Sequence, residues 1–333
     1  MSRVLVTRLD NEGDVLLAGP AIRAVAAGAD HVTLLCGPRG RQAAALLPGV
    51  DEVVVWRAPW IDPEPAPVDR DDVLGLAGAL GARRFDRALV FGSFHQSPLP
   101  TALVLRLAGV PWVGATSVDY PGALLDLRHR ISDDVHEVQR ALDLARAAGY
   151  ELPRGDDGRL RITGTRPGRG RHVVVHPGAS VPARAWPAAH HAALVEALAA
   201  RGEEVLVTGA PSERGLTARV AGAHATDLGG RTSFAGLADV LAGARAVVVG
   251  NTGPAHLAAA VGTPVVSLFA PTVPPVRWRP FGVAHELLFR DVPCAGCRAR
   301  VCPVEGHPCL AGVGVDDVLA ALDRVAPPVE VAV

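Results

Sequence analysis

Residues 246–269 read AVVVGNTGPAHLAAAVGTPVVSLF, and this stretch decides the fold. An apolar run rich in valine ends at Gly250, as expected for a strand that is buried on both faces of a sheet. Small and polar residues follow, and Pro254 then stands at the first turn of an alanine-rich helical stretch. A second valine-rich run begins after Pro264. Strand, helix and strand in this order predict a parallel sheet covered by helices, the α/β class.

The same alternation extends along the whole chain of 333 residues, which is long enough for two domains. A stretch dense in Gly, Pro, Arg and Asp, residues 152–170, interrupts the pattern and is interpreted as the interdomain link. We therefore expect an N-terminal domain over residues 1–155 and a C-terminal domain over residues 156–333. Ligands of parallel sheets bind at the carboxyl ends of strands, so we expect the site in a cleft between the domains. The loops concerned follow Leu9, His176, Thr208 and Gly250.

Hydrophobic periodicity gives the expected elements of both domains. The predicted strands are 3–8, 31–36, 52–56, 87–91, 111–114, 172–176, 204–208, a short one near 226, 246–250 and 264–269. The predicted helices are 16–27, 39–47, 71–80, 99–108, 134–148, 188–200, 213–221, 234–242, 254–261 and 315–325.

Composition excludes several classes of function. The formal net charge is −1 and only 4% of residues are aromatic, which argues against a nucleic-acid partner. The sequence contains neither a signal-peptide pattern nor an apolar stretch long enough to span a bilayer. We expect a cytoplasmic protein with at most peripheral membrane contact. All 33 basic residues are arginine, so every cationic role falls to that residue.

The loop after the first predicted strand carries Gly13 and Asp14 shortly before a predicted helix. Gly13 allows a positive φ or a close backbone approach by a ligand. A carboxylate at this point is either an N-cap or a functional group that faces the cleft, and the composition alone favours the N-cap for Asp14.

Two loops of the C-terminal domain carry residues suited to a diphosphate or a nucleoside. The segment 176–180, HPGAS, leads from a strand toward a helix start, where backbone N–H groups attract phosphate. Ser180 adds a hydroxyl donor and Arg184 a guanidinium suited to a diphosphate. In the next loop Glu213 either accepts hydrogen bonds from a ribose or a base, or complements a helix dipole.

The turn after the strand 246–250 has the features of an anion site. The N–H groups of Thr252 and Gly253 can meet an anion where the helix dipole favours it. His256 lies one turn into the helix, on the face directed back toward those N–H groups. A single helical histidine is more often structural, but the position behind an anion-binding turn favours a functional role for this one.

Four of these segments, in this order, resemble the ADP-heptose:lipopolysaccharide heptosyltransferase family, which is glycosyltransferase family 9. The similarity runs from the first strand to the final helix, and each motif follows a predicted strand. The motifs are Gly13-Asp14 with the following Pro20, HPGAS at 176–180 with Arg184 before Trp186-Pro187, GAPSE at 209–213, and NTGPAHLAAAVGTP at 251–264.

The resemblance implies a GT-B fold, two Rossmann-like domains facing a central cleft, with the donor bound mainly by the C-terminal one. It further implies inverting transfer of a sugar, typically a heptose, from an ADP-sugar to an acceptor hydroxyl, without a catalytic metal or other cofactor. Asp14 matches the family's general base, a carboxylate that deprotonates the attacking hydroxyl. The residues at donor-binding positions are Gly13, Ala179, Ser180, Arg184, Glu213, Thr232, Asn251, Thr252, Gly253 and His256.

Two of these positions depart from the family pattern. Arg184 matches a family lysine and, with Ser180 and the turn at Thr252, would stabilise the charge that develops on departing ADP. Asn251 stands where Asp is common, so this position does not predict which sugar hydroxyls are contacted.

The N-terminal domain is expected to hold the acceptor, an envelope glycan or a small metabolite. Its candidate contacts are His95, Gln96, Tyr120 and Arg128, although solvated surface arginines are the commoner case. Two other functions fit the same motifs. One is a GT-B-fold epimerase acting on a sugar nucleotide, and the other is a non-catalytic sugar-nucleotide binder.

Four of the five cysteines are clustered near the C-terminus in the pattern C-x2-C-x4-C-x6-C. Four thiolates are the ligand set of a structural zinc or an iron–sulfur site, although the spacing matches no paired zinc ribbon. Free or partly oxidised thiols are the commoner case. The residues are Cys294, Cys297, Cys302 and Cys309.

Overall fold

A computed structural model describes residues 2–165, 168 and 170–327, and the chain divides into two compact units. Unit 1 covers Met1–Thr163 and unit 2 covers Gly164–Val333. Residues 166, 167 and 169 of the predicted link, and 328–333 of the predicted second domain, lie outside the described residues. No described helix is both long enough and apolar enough to cross a membrane.

Unit 1 contains a sheet of six parallel strands in the order β3-β2-β1-β4-β5-β6. The chain reverses its direction of travel across the sheet between β1 and β4, so the loops that follow these two strands are neighbours. The strands are β1 (Arg3–Arg8), β2 (His31–Cys36), β3 (Glu52–Val55), β4 (Arg87–Val90), β5 (Trp112–Thr116) and β6 (Leu127–His129). The helices are α1 (Glu12–Ala27), α2 (Arg41–Ala44), α3 (Arg70–Gly81), α4 (Leu99–Leu107) and α5 (Glu137–Ala147).

Unit 2 repeats this topology with the order β12-β11-β10-β7-β8-β9, also fully parallel. Its reversal lies between β7 and β10, which makes the loops after those strands neighbours. The strands are β7 (Val173–His176), β8 (Val205–Val207), β9 (Thr226–Asp227), β10 (Ala246–Gly250), β11 (Val265–Leu268) and β12 (His285–Leu288). The helices are α6 (Ala188–Ala200), α7 (Arg214–Ala221), α8 (Phe234–Ala242), α9 (Gly253–Ala260), α10 (Pro275–Trp278), α11 (Pro308–Ala311) and α12 (Val315–Val325).

The differences from the predicted elements have local causes. β6 and β12 were not predicted, because a short edge strand with mixed side chains lacks the valine-rich signal of the central strands. The helix predicted over 39–47 contains only the four residues of α2, preceded by a 3-10 turn. α1 begins at Glu12, four residues before its predicted start, so the first helical turn contains Gly13 and Asp14.

The central strands form the core of each unit. Val4, Leu5 and Val6 of β1 are fully buried, as are the three valines of β10. In β1 the apolar run ends in Arg8, whose side chain is only 2% exposed. A buried cation is costly unless it is paired, so the end of β1 is where a charged site is expected.

Candidate active site

The buried guanidinium of Arg8 organises the reversal point of unit 1. Its Nη2 atom lies 3.1 Å from Asp14 Oδ1 and 3.1 Å from Asp10 Oδ2, and Nη1 lies 3.3 Å from Glu137 Oε2. Nη2 also donates to Ser93 Oγ at 2.8 Å. One cation thus faces three carboxylates, brought together from the loop after β1, from α1 and from α5.

Asp14 is the third residue of α1 and is not its N-cap, a position that Asn11 takes. The N-cap interpretation of Asp14 is therefore wrong, and its carboxylate is turned instead to Arg8. Gly13 is a buried helical residue, so a positive φ is not the reason for glycine there. Of the three carboxylates around Arg8, Asp14 is the most exposed, at 19% against 7% for Asp10 and 1% for Glu137.

Asp10 is held by the loop that follows β4. Its Oδ2 accepts from Ser93 Oγ and its Oδ1 from Gln96 Nε2, both at 3.1 Å. The other end of the Gln96 amide accepts the Ser93 N–H at 3.0 Å. Gln96, predicted to contact the acceptor, thus uses both ends of its amide to hold the network around Asp10.

Burial dominates the electrostatics of this network. It raises the pKa of Asp10 and of Glu137, while Arg8 opposes the shift and Asp14 adds to it. Burial also raises the pKa of Glu12, at the start of α1, to about 7. Sequence reasoning missed Arg8, Asp10, Glu12 and Glu137. The signal for Arg8 was a charged residue at the end of an otherwise apolar strand; Glu137 has no such signal.

The remaining predicted acceptor contacts lie on the surface of unit 1. His95 is exposed, with its ring edge-on to Phe94 at 5.2 Å between centroids. Tyr120 is 84% exposed. The Arg128 guanidinium donates to the carbonyls of Ser117 and Val118, so it stabilises the loop after β5 that carries Tyr120.

In unit 2, the loop after β7 packs against Glu213. A Cβ atom added to Gly178 would lie 2.1 Å from Glu213 Oε1, so only glycine lets this carboxylate approach the backbone. His176, at the end of β7, is buried and bonded through Nδ1 to Thr208 Oγ1 at 3.0 Å. Burial lowers the pKa of His176, and the nearby Glu213 carboxylate opposes that shift.

Glu213 makes a local bond at the start of α7, and its predicted contact with a nucleoside stays a prediction. Its Oε2 accepts the Ala210 N–H at 2.8 Å, closing the 3-10 turn Pro211–Glu213 that leads into α7. A carboxylate accepts more than one hydrogen bond per oxygen, so this capping bond leaves acceptor capacity for a ligand.

The turn between β10 and α9 contains buried polar atoms that no described residue satisfies. They are Asn251 Oδ1, Thr252 Oγ1 and His256 Nδ1. Burial lowers the pKa of His256 to about 4, so its imidazole is neutral near pH 7. The Thr252 N–H donates to the Gly250 carbonyl at 2.9 Å, so this amide already has an acceptor within the turn, and its role toward an anion stays a prediction. The Gly253 N–H opens α9, where the first N–H groups have no intrahelical acceptor.

The other predicted donor residues lie in loops near these strand ends. Arg184 ends the 3-10 turn Pro182–Arg184, and its carbonyl would lie 3.2 Å from a Cβ at Gly250. Ser180 is exposed and Ala179 half-buried in the loop after β7. Thr232 precedes Ser233, the N-cap of α8.

The four clustered cysteines line one pocket, together with His307 and residues of two neighbouring loops. Cys309 is buried, Cys297 is exposed and the other two are half-buried. As their side chains are placed, no three Cys, His, Asp or Glu residues in the described part of the chain are arranged to hold a metal ion. Cys36, the fifth, is buried in β2.

Comparison with known proteins shows which family the chain belongs to. The sequence profile of glycosyltransferase family 9 (heptosyltransferase) matches residues 73–307. The chain belongs to glycosyltransferase family 9. The predicted resemblance and the predicted enzyme class, a glycosyltransferase, are thereby confirmed.

Two curated relatives illustrate the similarity. Lipopolysaccharide heptosyltransferase 1 of Pseudomonas aeruginosa is 39% identical over 174 residues, which are 50% of this chain and 48% of that protein. The aligned part thus spans about half the length of this relative. Lipopolysaccharide heptosyltransferase 1 of Escherichia coli K12 is 28% identical over 291 residues, 82% of this chain and 89% of that protein.

Solved structures of heptosyltransferases share the fold. E. coli heptosyltransferase WaaC with ADP-2-deoxy-2-fluoro heptose superposes with a TM-score of 0.75 and 23% identity, covering 97% of this chain and 100% of that one. E. coli ADP-heptose LPS heptosyltransferase II gives a TM-score of 0.75 and 20% identity, with 98% of each chain covered. The predicted GT-B fold class is confirmed.

Proposed function

We propose that this member of family 9 catalyses the inverting transfer of a heptose from an ADP-heptose donor to an acceptor hydroxyl, with Asp14 as the general base. The observation that carries the proposal is the contact between Asp14 and the buried Arg8 at the reversal point of unit 1. Unit 1 would hold the acceptor and unit 2 the donor.

The environment of Asp14 suits a base. A base must be ionised and must reach the proton that it removes. Asp14 Oδ1 is held 3.1 Å from the Arg8 guanidinium, and Asp14 is the carboxylate of this network most exposed to a ligand. Asp10 and Glu137 are enclosed and are assigned to positioning Arg8. Asp14 would take the proton of the acceptor hydroxyl as its oxygen attacks the anomeric carbon and the bond to ADP breaks.

The reversal point of unit 2 has the chemistry for an ADP moiety. Arg184 and the N-terminus of α9 supply positive charge for a diphosphate without a metal. Glu213 would accept from the nucleoside, and Asn251, Thr252 and His256 bring buried polar atoms that a ligand would satisfy. One structural relative is named for ADP-heptose and another was solved with ADP-2-deoxy-2-fluoro heptose, which supports this choice of donor.

The acceptor is proposed at the level of chemical class. Curated relatives are named lipopolysaccharide heptosyltransferases, which supports an envelope glycan, and a small metabolite hydroxyl would meet the same base. Five cysteines without a disulfide among the described residues suit a reducing compartment, so we propose a cytoplasmic reaction.

The test is release of ADP from ADP-heptose in the presence of a heptose-acceptor glycan. Asp14→Asn should lower kcat by about 10²- to 10⁴-fold, the range for loss of a general base, while the Kd for ADP measured by calorimetry stays the same. Asp72→Asn, a change in α3 of unit 1, serves as the matched control and should retain turnover. Full activity of Asp14→Asn would rule out the base assignment, and no ADP release by the unaltered protein would rule out the proposed donor.

A further inference from the structure

His176 is the last residue of β7 and lies at the reversal point of unit 2. It is 7% exposed, and its Nδ1 atom is 3.0 Å from Thr208 Oγ1. The parallel pairing of β7 with β8 brings these two strand ends together. One ring nitrogen is thus used inside the fold, and the other, Nε2, makes no hydrogen bond to a described residue.

The bond to Thr208 determines which ring nitrogen carries the proton. Thr208 is fully buried, so its hydroxyl proton needs an acceptor inside the protein. Among the described residues, the hydrogen-bond partner of this hydroxyl is His176 Nδ1. With Nδ1 as the acceptor, the neutral imidazole carries its proton on Nε2. Burial lowers the pKa of His176, which keeps the ring neutral near pH 7.

Nε2 is also the polar atom of His176 that a ligand can reach. His256 Nδ1 and Ser267 Oγ of the same unit are fully enclosed without a partner, whereas His176 Nε2 is not fully enclosed. The small exposed fraction of His176 therefore includes this nitrogen. A neutral N–H donor is presented at the carboxyl end of a central strand, where ligands of parallel sheets bind.

The Glu213 carboxylate lies beside the same strand ends. A Cβ at Gly178 would lie 2.1 Å from Glu213 Oε1, and a Cβ at Gly209 would lie 3.2 Å from Glu213 Oε2. These glycines belong to the loops after β7 and β8, whose starts are joined by the bond between His176 and Thr208. An N–H donor and a carboxylate acceptor on neighbouring loops are complementary to two adjacent hydroxyls. One hydroxyl oxygen accepts from the N–H, and the other hydroxyl donates to the carboxylate.

We propose that His176 is a further donor-binding residue, whose Nε2–H donates to one ribose hydroxyl of the ADP moiety while Glu213 accepts from the adjacent hydroxyl. The two residues together recognise the cis-diol of a ribonucleotide and select against a deoxyribonucleotide. This assignment rests on the proposed function, because it takes ADP as part of the donor. The imidazole stays neutral and transfers no proton.

Two substitutions separate contact with the ligand from a structural role. The amide of asparagine reaches about as far as Nδ1 of histidine, and that of glutamine about as far as Nε2. His176→Asn therefore keeps a partner for Thr208 and removes the donor to the ligand, whereas His176→Gln does the reverse.

Calorimetric titration of the full-length variants with ADP measures the difference. We expect His176→Asn to bind ADP about tenfold more weakly and His176→Gln to lose less than about threefold. His224→Asn, at an exposed histidine of unit 2, is the matched control and should bind ADP as the unaltered protein does. Equal losses in the two His176 variants, or a larger loss in His176→Gln, would show that the bond to Thr208 is the role of this histidine and would overturn the proposal.

The second test changes the nucleotide and does not depend on the folding of a variant. The unaltered protein should bind 2′-deoxy-ADP and 3′-deoxy-ADP about tenfold more weakly than ADP, since a site built to bond a hydroxyl rejects the analogue that lacks it. In His176→Asn, one of the two analogues should lose little further affinity relative to ADP, because its missing hydroxyl is the one that His176 contacts. If ADP binds and both analogues bind equally well, the ribose assignment alone is overturned. If ADP itself does not bind the unaltered protein, the proposed donor fails first.

Discussion

The two units have reversal points of the same topology, at the carboxyl ends of their central strands, yet the polar groups at these points are bonded in opposite ways. In unit 1 a buried cation and three carboxylates bond to one another and to Ser93 and Gln96. In unit 2 polar atoms of Asn251, Thr252 and His256 are buried without a partner among the described residues. The first arrangement holds one group in a fixed position before any ligand arrives. The second leaves hydrogen-bonding capacity for a ligand to complete.

This contrast fits the proposed roles of the two units, in which unit 1 carries the base and unit 2 binds the donor. A base must be oriented to within a fraction of an ångström, and the bonds between Arg8 and its three carboxylates provide that orientation, while Arg8 Nε itself has no partner among the described residues. A binding site gains affinity when the ligand satisfies groups that the empty protein leaves unsatisfied. The same strand order thus supports preorganisation in one unit and recognition in the other.

The largest expected effect comes from removing the buried cation of unit 1, Arg8. Arg8→Met should lower the free energy of unfolding of unit 1 by about 3–5 kcal/mol, because the buried carboxylates lose the charge that compensates them. Hydrogen exchange of unit 1 amides, resolved by mass spectrometry, measures the change. Unit 2 amides should be unaffected.

Glu137→Gln provides the matched comparison within the same network. It removes one carboxylate charge and keeps the shape, and Arg8 retains Asp10 and Asp14 as partners. We expect a change below about 1 kcal/mol, since relief of repulsion among the carboxylates offsets the lost ion pair. Equal destabilisation by Arg8→Met and Glu137→Gln would contradict the picture of one cation that holds three acids.

Acidification should change the free energy of unfolding of the two units in opposite directions. Burial lowers the pKa of His256 to about 4 and that of His191 to about 3, so between these values and 6.5 the unfolded chain binds more protons than the folded one. Unit 2 therefore loses stability as the pH falls through 6.5, by at most about 3 kcal/mol for His256. For Glu12 the sign is reversed. Its pKa is raised from 4.5 to about 7, so the folded state binds more protons in that window and unit 1 gains stability as the pH falls from 7.

Hydrogen exchange at pH 7 and pH 5, corrected for the intrinsic pH dependence of the exchange rate, separates the two units. His256→Asn should reduce the acid-induced loss in unit 2, and Glu12→Gln should reduce the gain in unit 1. If both units lost stability when the pH fell from 7 to 5, the predicted difference in sign between Glu12 in unit 1 and His256 in unit 2 would be wrong.

The sequence predicted what is encoded within a few consecutive residues. The valine run of β10, the turn at Gly250 and the start of α9 are all contained in one stretch of about twenty residues, and the structure agrees with them to within one residue. The network around Arg8 could not be predicted in this way. Its partners Ser93 and Glu137 are 85 and 129 residues away along the chain, and only the folded sheet brings them together.

Gln96 shows the same limit. The sequence suggested an acceptor contact for it, a prediction that stays open, and only the fold shows that its amide bonds to Asp10 and Ser93. Glu213 could not be assigned because both predicted roles, accepting from a ribose or base and complementing a helix dipole, use the same carboxylate. The capping bond to Ala210 is local in sequence, while the contact with Gly178 depends on the pairing of β7 with β8.

The smallest expected effect comes from a pair of threonine substitutions in unit 2, which test whether the unpartnered polar atoms of the turn after β10 bind the ligand. Thr252→Val removes a buried hydroxyl that has no partner among the described residues, so it should not lower the free energy of unfolding. It should weaken ADP binding by about tenfold, since the hydroxyl is assigned to the ligand. Thr208→Val removes a hydroxyl bonded to His176 and should instead cost about 1–3 kcal/mol of stability, with only a minor effect on ADP affinity. Calorimetric ADP titration and urea unfolding of both variants measure the two quantities. If Thr252→Val destabilised the fold and left ADP binding intact, the hydroxyl would be structural. The contrast between the bonded carboxylates of unit 1 and the unpartnered polar atoms of the turn in unit 2 would then fail.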